Sequence, residues 1–204
     1  MKLYLARGTI SVAAAIVAEE AGLAYTPVVL DFAGEEQSRP EYLAINPKGR
    51  VPALEVPNGI LTETGAILDY LAALAPLAGV VPQDPVQAGR MREVMYYLAS
   101  TMHVNHAHKL RGHRWAVQTA SHEDMRAKVT ENMADCCAYL EGACMQGPYV
   151  LGDDFSLADA YLYIVCTWLA GDGVAIADYP KLAAHHAAMG ERASVKAVRA
   201  AGYL

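Results

Sequence analysis

Three features are scarce or missing in this sequence: an excess of basic charge, a long apolar segment and cysteines at metal-binding spacing. The chain has 16 Lys and Arg against 22 Asp and Glu, a formal net charge of -6, which argues against a nucleic-acid-binding surface. No apolar run approaches the roughly 20 residues that cross a bilayer, and the opening apolar stretch is too short for a signal peptide. These absences favour a cytoplasmic protein with neither nucleic acid nor membrane as a partner.

The four cysteines all lie in the second half of the chain and form neither a C-x-x-C pair nor a zinc-finger pattern. They are Cys136, Cys137, Cys144 and Cys166. The Ala, Leu and Met residues around them repeat at helical spacing, which favours reduced thiols buried in a core. A redox role for the adjacent pair Cys136 and Cys137 is the alternative.

The first part of the chain predicts strands and helices in alternation. A chain of 204 residues can bury a core as one large domain or two modest ones. A strand, a helix ended by Gly22 and a second strand would form a βαβ unit with parallel strands, followed by a hairpin and another helix. The predicted ranges are 2–6, 11–21, 25–31, a hairpin around Pro57-Asn58-Gly59, and a helix over 64–75.

The later part of the chain predicts helices alone. Residues 76–85 are rich in Pro and Gly and indicate a linker. From residue 86 onward the apolar residues repeat at helical spacing with no convincing strand. Ser156 and Asp159 have the spacing of a capping box at the start of a strongly apolar helix. The predicted fold class is therefore an α/β first domain and an all-α second domain.

Two segments of the first domain indicate a binding site for a small acidic peptide. Pro52 begins a short apolar strand, and since proline cannot donate to a sheet ladder we expect an edge or irregular position with backbone groups free to pair with a peptide. Glu63 and Thr64 lie at the start of the 64–75 helix, where unpaired N-H groups and the helix dipole attract anions.

The segments 46–54 and 62–71, together with 155–161, resemble cytosolic glutathione transferases and are most similar to the bacterial beta-like members. The resemblance covers nearly the whole chain. It implies a thioredoxin-like glutathione-binding domain over 1–75, a linker over 76–85 and a helical domain over 86–204 that forms part of the electrophile site. It also implies a homodimer.

The resemblance assigns glutathione contacts residue by residue. The backbone of Val51, held by a cis peptide before Pro52, would pair with the cysteinyl unit. Glu63 would meet the γ-glutamyl ammonium, and the hydroxyl and N-H of Thr64 would meet its carboxylate while also capping the helix. Lys48 could reach the glycyl carboxylate, with a solvated turn lysine as the alternative.

The thiolate donor is where the sequence departs from the family. A thiol with a pKa near 8.5 must be converted to its anion before it attacks an electrophile, and a hydroxyl at the first helix would favour the anion by hydrogen bonding. The beta-like members carry a cysteine at the position of Ile10. We expect Ser11 to be the catalytic donor and Thr9 the second candidate; the alternative for Ser11 is an ordinary helix cap.

His103 and His106 are spaced to share one helix face. The resemblance aligns His103 with a histidine that faces the active-site cleft, and Val104 replaces the family's neighbouring lysine. We expect both histidines in the second-substrate site. The alternatives are exposed helix residues without chemistry or a metal site, and we expect no metal because no acidic partner lies nearby in sequence.

The expected activity is that of a glutathione transferase that directs the glutathione thiolate at a small apolar electrophile. Conjugation, peroxide reduction and isomerisation can all begin from that thiolate. Because Ile10 breaks the family pattern, a glutathione-transferase-like binding or regulatory module without turnover is the alternative.

Overall fold

The computed structural model describes all 204 residues and divides them into two compact units. One comprises Met1–Pro82 together with Met189–Leu204, and the other comprises Gln83–Ala188. The helices are α1 (Val12–Glu20), α2 (Pro40–Leu43), α3 (Thr64–Leu74), α4 (Pro85–Tyr97), α5 (His103–Arg111), α6 (Thr119–Tyr139), α7 (Leu157–Cys166), α8 (Pro180–Glu191) and α9 (Ala193–Ala200). None of them is both long enough and apolar enough to cross a membrane.

The first unit is built on a four-stranded sheet. Its strands are β1 (Lys2–Leu5), β2 (Thr26–Val29), β3 (Ala53–Val56) and β4 (Gly59–Thr62), in the spatial order β2-β1-β3-β4. β1 and β2 are parallel, as predicted for a βαβ unit, whereas β3 is antiparallel to both β1 and β4. The α/β class expected for this part of the chain is confirmed.

Of the two positions predicted for Pro52, an edge strand or an irregular position, the edge strand is wrong. β3 lies in the interior of the sheet, with Ala53 paired to Tyr4 on one side and to Thr62 on the other. The edges are β2 and β4. Pro52 is accommodated because it precedes the first residue of the strand, where no ladder hydrogen bond is required of it.

Helix α1 lies in the core of the first unit, with every residue from Val12 to Ala18 buried. It packs against α3 and against α9. Residues 189–204, predicted from sequence as part of the helical domain over 86–204, therefore belong to the first unit. An Ala-rich helix without a polar face can be covered only if elements from elsewhere in the chain pack on its remaining sides.

The second unit is helical, which confirms the all-α prediction for this part. A π-helical segment, Leu98–Met102, joins α4 directly to α5. Every residue of α7 is buried, and the capping box of Ser156 and Asp159 is present at its start. The cysteines are unpaired; three are buried and Cys144 is partly exposed.

Candidate functional site

The segment before β3 leaves a peptide unit without a partner inside the chain. The Tyr42 hydroxyl and the Asn46 side-chain amide both donate to the carbonyl of Arg50, at 2.7 and 2.6 Å. Burial raises the pKa of Tyr42 to about 12, so its hydroxyl keeps the proton that it donates. The Val51–Pro52 bond is cis, and Val51 makes no backbone hydrogen bond within the chain. Its N-H and C=O are therefore available to a ligand.

The start of α3 lies next in the chain after β4 and is open to an anion. Glu63 adopts φ 71° and ψ 125°, a backbone conformation that costs free energy in a non-glycine residue and is concentrated at ligand sites. No side chain caps the helix at this point. The Thr64 side chain is largely buried, so it is held close to the first-turn N-H groups that a carboxylate would meet.

Lys48 is brought to this helix start by the turn after α2. Its Nζ donates to the Thr62 hydroxyl at 2.7 Å and to Glu63 Oε1 at 2.5 Å. Both charged side chains are more than one-third exposed, so the ion pair is screened by solvent and is readily exchanged for ligand contacts. A cation and an anion thus lie side by side, as recognition of a zwitterionic ligand requires.

Two hydroxyl groups meet in the loop between β1 and α1. The Oγ atoms of Thr9 and Ser11 lie 2.6 Å apart. Ser11 is completely buried, and its Oγ accepts the Ala6 N-H at 3.0 Å. Thr9 is partly exposed and donates to the Ala6 carbonyl at 2.8 Å. Of the two predicted hydroxyls, Thr9 is the one that faces solvent.

One contact of this loop has no signal in the sequence. Gly8, at φ 65°, donates its N-H to the carbonyl of Tyr203 at 2.9 Å. Nearly 200 residues separate the two in sequence, so no local pattern could have paired them. Ile10, which lies between the two hydroxyl residues Thr9 and Ser11, is buried.

A pocket of about 430 Å³ lies beside the same loop, at the carboxyl ends of β1 and β2. Its lining includes Ala6, Arg7 and the residues from Val29 to Ala33. Arg7 supplies the only positive charge of that lining, and Asp31 the only negative one. The pocket can therefore receive a polar group next to the hydroxyl pair.

The two predicted histidines lie in the second unit and share an aromatic neighbour. The rings of His103 and His106 have centroids 5.0 and 4.4 Å from that of Trp168, and His106 stacks on it at 22°. His106 Nδ1 lies 2.6 Å from Oδ2 of the buried Asp172. Asp172 was missed from sequence because 66 residues separate it from His106.

No group of three or more His, Cys, Asp and Glu side chains is placed so that it could hold a metal ion. The carboxylate that contacts His106 is shared with Lys109, whose Nζ lies 3.2 Å from Asp172 Oδ1. The histidines are thus arranged as a hydrogen-bonded aromatic cluster.

Comparison with known proteins places these features in a family. Residues 1–73 match the family model of the glutathione S-transferase N-terminal domain, and residues 121–188 match that of the C-terminal domain. A solved glutathione transferase homologue from Sulfitobacter, with glutathione bound, is 61% identical and superposes with a TM-score of 0.98 over 100% of this chain and 98% of its own.

Curated relatives agree with that match over nearly the full chain. The glutathione S-transferase GstA of Escherichia coli O157:H7 is 29% identical over 96% of each chain. A maleylacetoacetate isomerase of Pseudomonas aeruginosa is 32% identical over 89% of this chain and 87% of its own. The two domain models match in the expected order, and the relatives match over nearly their full length. The chain therefore belongs to the glutathione S-transferase family.

Proposed function

We propose that this glutathione S-transferase binds glutathione in its first unit and directs the thiolate at a small apolar electrophile. The free backbone of Val51 beside the cis bond to Pro52 is the observation that carries the proposal. An extended peptide pairs with such a group through both its N-H and its C=O. The Sulfitobacter homologue, which holds glutathione, supports the same ligand here.

The polar ends of glutathione fit the groups around α3. Glu63 would accept from the γ-glutamyl ammonium, and the Thr64 hydroxyl and N-H would bind its carboxylate. Lys48 would pair with the glycyl carboxylate once the ligand displaces its contact to Glu63. The ammonium and the glycyl carboxylate each then meet a charge of opposite sign, and the γ-glutamyl carboxylate meets two neutral hydrogen-bond donors.

The thiolate donor in this proposal is Thr9, with Ser11 behind it. Ser11 was the first candidate on sequence grounds, but its complete burial keeps its hydroxyl from a ligand atom. Thr9 can turn its O-H from the Ala6 carbonyl to the sulfur, and Ser11 can donate to the Thr9 oxygen at 2.6 Å. A hydrogen bond to the charged form lowers the thiol pKa.

The second substrate is proposed to bind at His103 and His106, whose rings and Trp168 offer an aromatic surface. Conjugation is the expected reaction; the isomerase relative makes isomerisation of an unsaturated acid a second reaction to assay, and peroxide reduction a third. Homodimer assembly is proposed from family membership.

Calorimetric titration with glutathione, followed by assays with aryl halides, enones, hydroperoxides and maleyl-type acids, tests the proposal. We expect saturable binding at one site per chain and turnover with at least one acceptor. Absence of binding contradicts the proposal outright. S-methylglutathione serves as a control, because it should bind through the same backbone contacts without supporting turnover.

A binding module without turnover is the second candidate, and one observation favours it. Ile10 is buried where beta-like members carry a reactive cysteine, and the remaining donor, Thr9, is already hydrogen-bonded to Ala6. Tight glutathione binding with an unshifted thiol pKa and no turnover across the acceptors would identify such a module.

A further inference from the structure

We propose that Tyr203 is a positioning residue for the thiolate donor: its backbone carbonyl holds Gly8, and Gly8 in turn keeps Thr9 directed at the glutathione sulfur. This role rests on the proposed function, in which Thr9 donates to that sulfur, and it adds to the site a residue that follows α9. All the groups involved belong to the first unit, which comprises Met1–Pro82 and Met189–Leu204.

The loop that carries Thr9 is a tight turn from Ala6 to Thr9, with Gly8 as its third residue. Thr9 donates both its N-H and its hydroxyl to the carbonyl of Ala6, at 3.3 and 2.8 Å. Gly8 is exposed and has φ 65°, a conformation that glycine adopts without steric cost. Because Gly8 directly precedes Thr9, a change in the backbone of Gly8 would redirect the Thr9 side chain.

The restraint on this turn from a distant part of the chain is the hydrogen bond from the Gly8 N-H to the Tyr203 carbonyl, at 2.9 Å. The contacts of Thr9 with Ala6 close the turn locally, whereas the bond to Tyr203 ties the turn to a separate element. Exposed loops open locally at a small cost in free energy unless such bonds restrain them. The Tyr203 carbonyl is therefore placed to limit the motion of the residue next to the donor.

The Tyr203 carbonyl is itself fixed by the way in which α9 ends. Gly202 has φ 72°, and its N-H donates to the carbonyl of Arg199 at 2.9 Å. The N-H of Tyr203 donates to the carbonyl of Val198 at 3.0 Å. These two bonds form a Schellman motif, in which a left-handed residue reverses the chain after a helix. The Tyr203 side chain is buried, so both its backbone and its ring are held.

Helix α9 is also held at its start. Arg192, which precedes α9, donates to both carboxylate oxygens of Glu20 at the end of α1, at 2.6 and 2.7 Å. Helix α9 thus runs antiparallel to α1, since its other end reaches the loop before α1. The two helices have nine and eight residues, which makes each about 12 to 14 Å long. This match in length allows the contacts at both ends to form together.

The packing of α9 on α1 does not depend on Tyr203. Ser194, Val195 and Val198 are the buried residues of α9, and their spacing places them on one face of the helix. That face packs against α1. A change after residue 200 can therefore release Gly8 while the helix stays in place, so the positioning role is separable from folding.

Substitution of Gly202 tests this role without altering any group that meets the ligand. Gly202 is exposed, and a Cβ atom there would meet nothing within 4 Å, but φ 72° is strongly unfavourable for a β-branched residue. Gly202→Val should therefore disrupt the Schellman motif and displace the Tyr203 carbonyl. We expect the Gly8 amide hydrogen to exchange about tenfold faster, as loss of one hydrogen bond implies. Hydrogen exchange followed by NMR measures this rate.

The expected consequence for the site is a weaker hydrogen bond from Thr9 to the sulfur. The pKa of bound glutathione, measured by ultraviolet titration of the thiolate, should rise by about 0.5 to 1 unit in Gly202→Val, the equivalent of one neutral hydrogen bond. Calorimetry should give an unchanged affinity for S-methylglutathione, because the contacts proposed for Val51, Glu63 and Thr64 do not involve this loop. A shifted pKa at constant affinity is the signature of a positioning residue.

Gly22→Val is the matched control, because α1 ends in the same motif as α9. Gly22 is exposed, has φ 62° and has open space around a Cβ atom. Its N-H donates to the carbonyl of Glu19, and the N-H of Leu23 donates to that of Ala18, at 3.1 and 2.9 Å. Gly22→Val should therefore lower the stability to urea as Gly202→Val does. It should change neither the amide exchange of the donor loop nor the thiol pKa.

Two further variants complete the series. Gly202→Asn is the conservative substitution, since asparagine tolerates the left-handed conformation, and it should keep the wild-type thiol pKa. Tyr203→Pro removes the N-H that bonds to Val198 and should release the carbonyl by a second route. Should Gly202→Val fail to fold, Tyr203→Pro provides the same measurements.

The outcomes separate this role from the proposed function. Absence of glutathione binding to the wild type contradicts both, and a thiol pKa that Thr9→Val leaves unchanged contradicts the role of Thr9 and that of Tyr203 with it. A thiol pKa that rises in Thr9→Val but not in Gly202→Val or Tyr203→Pro contradicts the role of Tyr203 alone. An equal rise in Gly22→Val, or a Gly8 amide whose exchange neither variant accelerates, contradicts it as well.

Discussion

The hydroxyl oxygens of Thr9 and Ser11 lie 2.6 Å apart at the start of α1, and of the two side chains only Thr9 is exposed to solvent. The two hydroxyls therefore have different roles. Ser11 satisfies the buried N-H of Ala6, while Thr9 is the hydroxyl that a ligand can reach.

Replacement of the two hydroxyls should separate thiol ionisation from stability. Thr9→Val is expected to raise the pKa of bound glutathione toward the free-thiol value near 8.5, with little change in stability. Ser11→Ala leaves the Ala6 N-H buried without a partner, which costs about 1 to 3 kcal/mol. Ultraviolet titration of the thiolate measures the first effect and urea unfolding the second.

Thr26→Val is a suitable control for that experiment, because Thr26 is exposed on β2 of the same sheet. Thr26→Val should alter neither the pKa of bound glutathione nor the stability to urea. An unchanged thiol pKa in Thr9→Val would remove Thr9 from the mechanism, and a shifted pKa in Ser11→Ala with unaltered stability would restore Ser11 as the direct donor.

The ion pair of Lys48 and Glu63 should be exchanged for ligand contacts on binding. Lys48→Met is expected to weaken glutathione binding about tenfold, the cost of losing one charge-assisted hydrogen bond. The glycyl ethyl ester of glutathione lacks the carboxylate that Lys48 would meet, so its affinity should change much less. Calorimetry with both ligands measures the difference.

Lys2→Met provides the matched control, since Lys2 forms an exposed ion pair with Glu55 in the same sheet at 3.1 Å. It should bind both ligands as the wild type does. An equal loss of affinity for glutathione and its ester in Lys48→Met would mean that Lys48 acts only by holding Glu63.

The buried carboxylate of Asp159 should be essential for the second unit. It accepts from Ser156 N-H and Oγ and from Val150 N-H, at 2.7 to 2.8 Å, and lies 3.1 Å from His185 Nε2. Asp159→Ala removes all four contacts inside the core, and we expect a loss of at least about 3 kcal/mol of unfolding free energy. Asp153→Ala changes an exposed position nearby. Its free energy of unfolding in urea should be close to that of the wild type.

An ion pair joins Glu20, at the end of α1, to Arg192, at the start of α9. This pair should make the free energy of unfolding depend on pH. Arg192 Nε and Nη2 donate to the two oxygens of Glu20 at 2.6 and 2.7 Å. Burial by itself raises the pKa of Glu20, but the hydrogen bonds from Arg192 and Ser194 outweigh it and the pKa is lowered. The stabilisation is therefore present above the ordinary glutamate pKa of about 4.3 and is lost as pH falls through the lowered value.

Unfolding by urea at neutral pH and across the acidic range tests this anchor. Arg192→Met should cost about 2 kcal/mol at neutral pH, the usual worth of hydrogen bonds to a charged group, and should flatten the loss of stability in acid. Lys196→Met breaks the exposed ion pair with Glu191. This variant should neither lose stability at neutral pH nor flatten the loss of stability in acid. An acid profile that Arg192→Met leaves unchanged would rule out Glu20 as its source.

The fold was predictable because its signals are local. The apolar run before Gly22, the Pro57-Asn58-Gly59 turn and the capping box of Ser156 and Asp159 each define an element within a few residues, and the structure contains all three. The interior position of β3 was not predictable, since which strands pair depends on how distant segments cover one another's apolar faces.

By itself, the sequence determined the helices, the strands and the two segments that resemble a glutathione site, because caps, turns and periodicity depend on near neighbours. The tertiary structure alone decided which of those groups can act. It buried Ser11 and left Thr9 accessible, joined Gly8 to Tyr203, and placed Asp172 against His106. Exposure and long-range hydrogen bonds arise only when remote parts of the chain pack together, so they leave no trace in the local pattern.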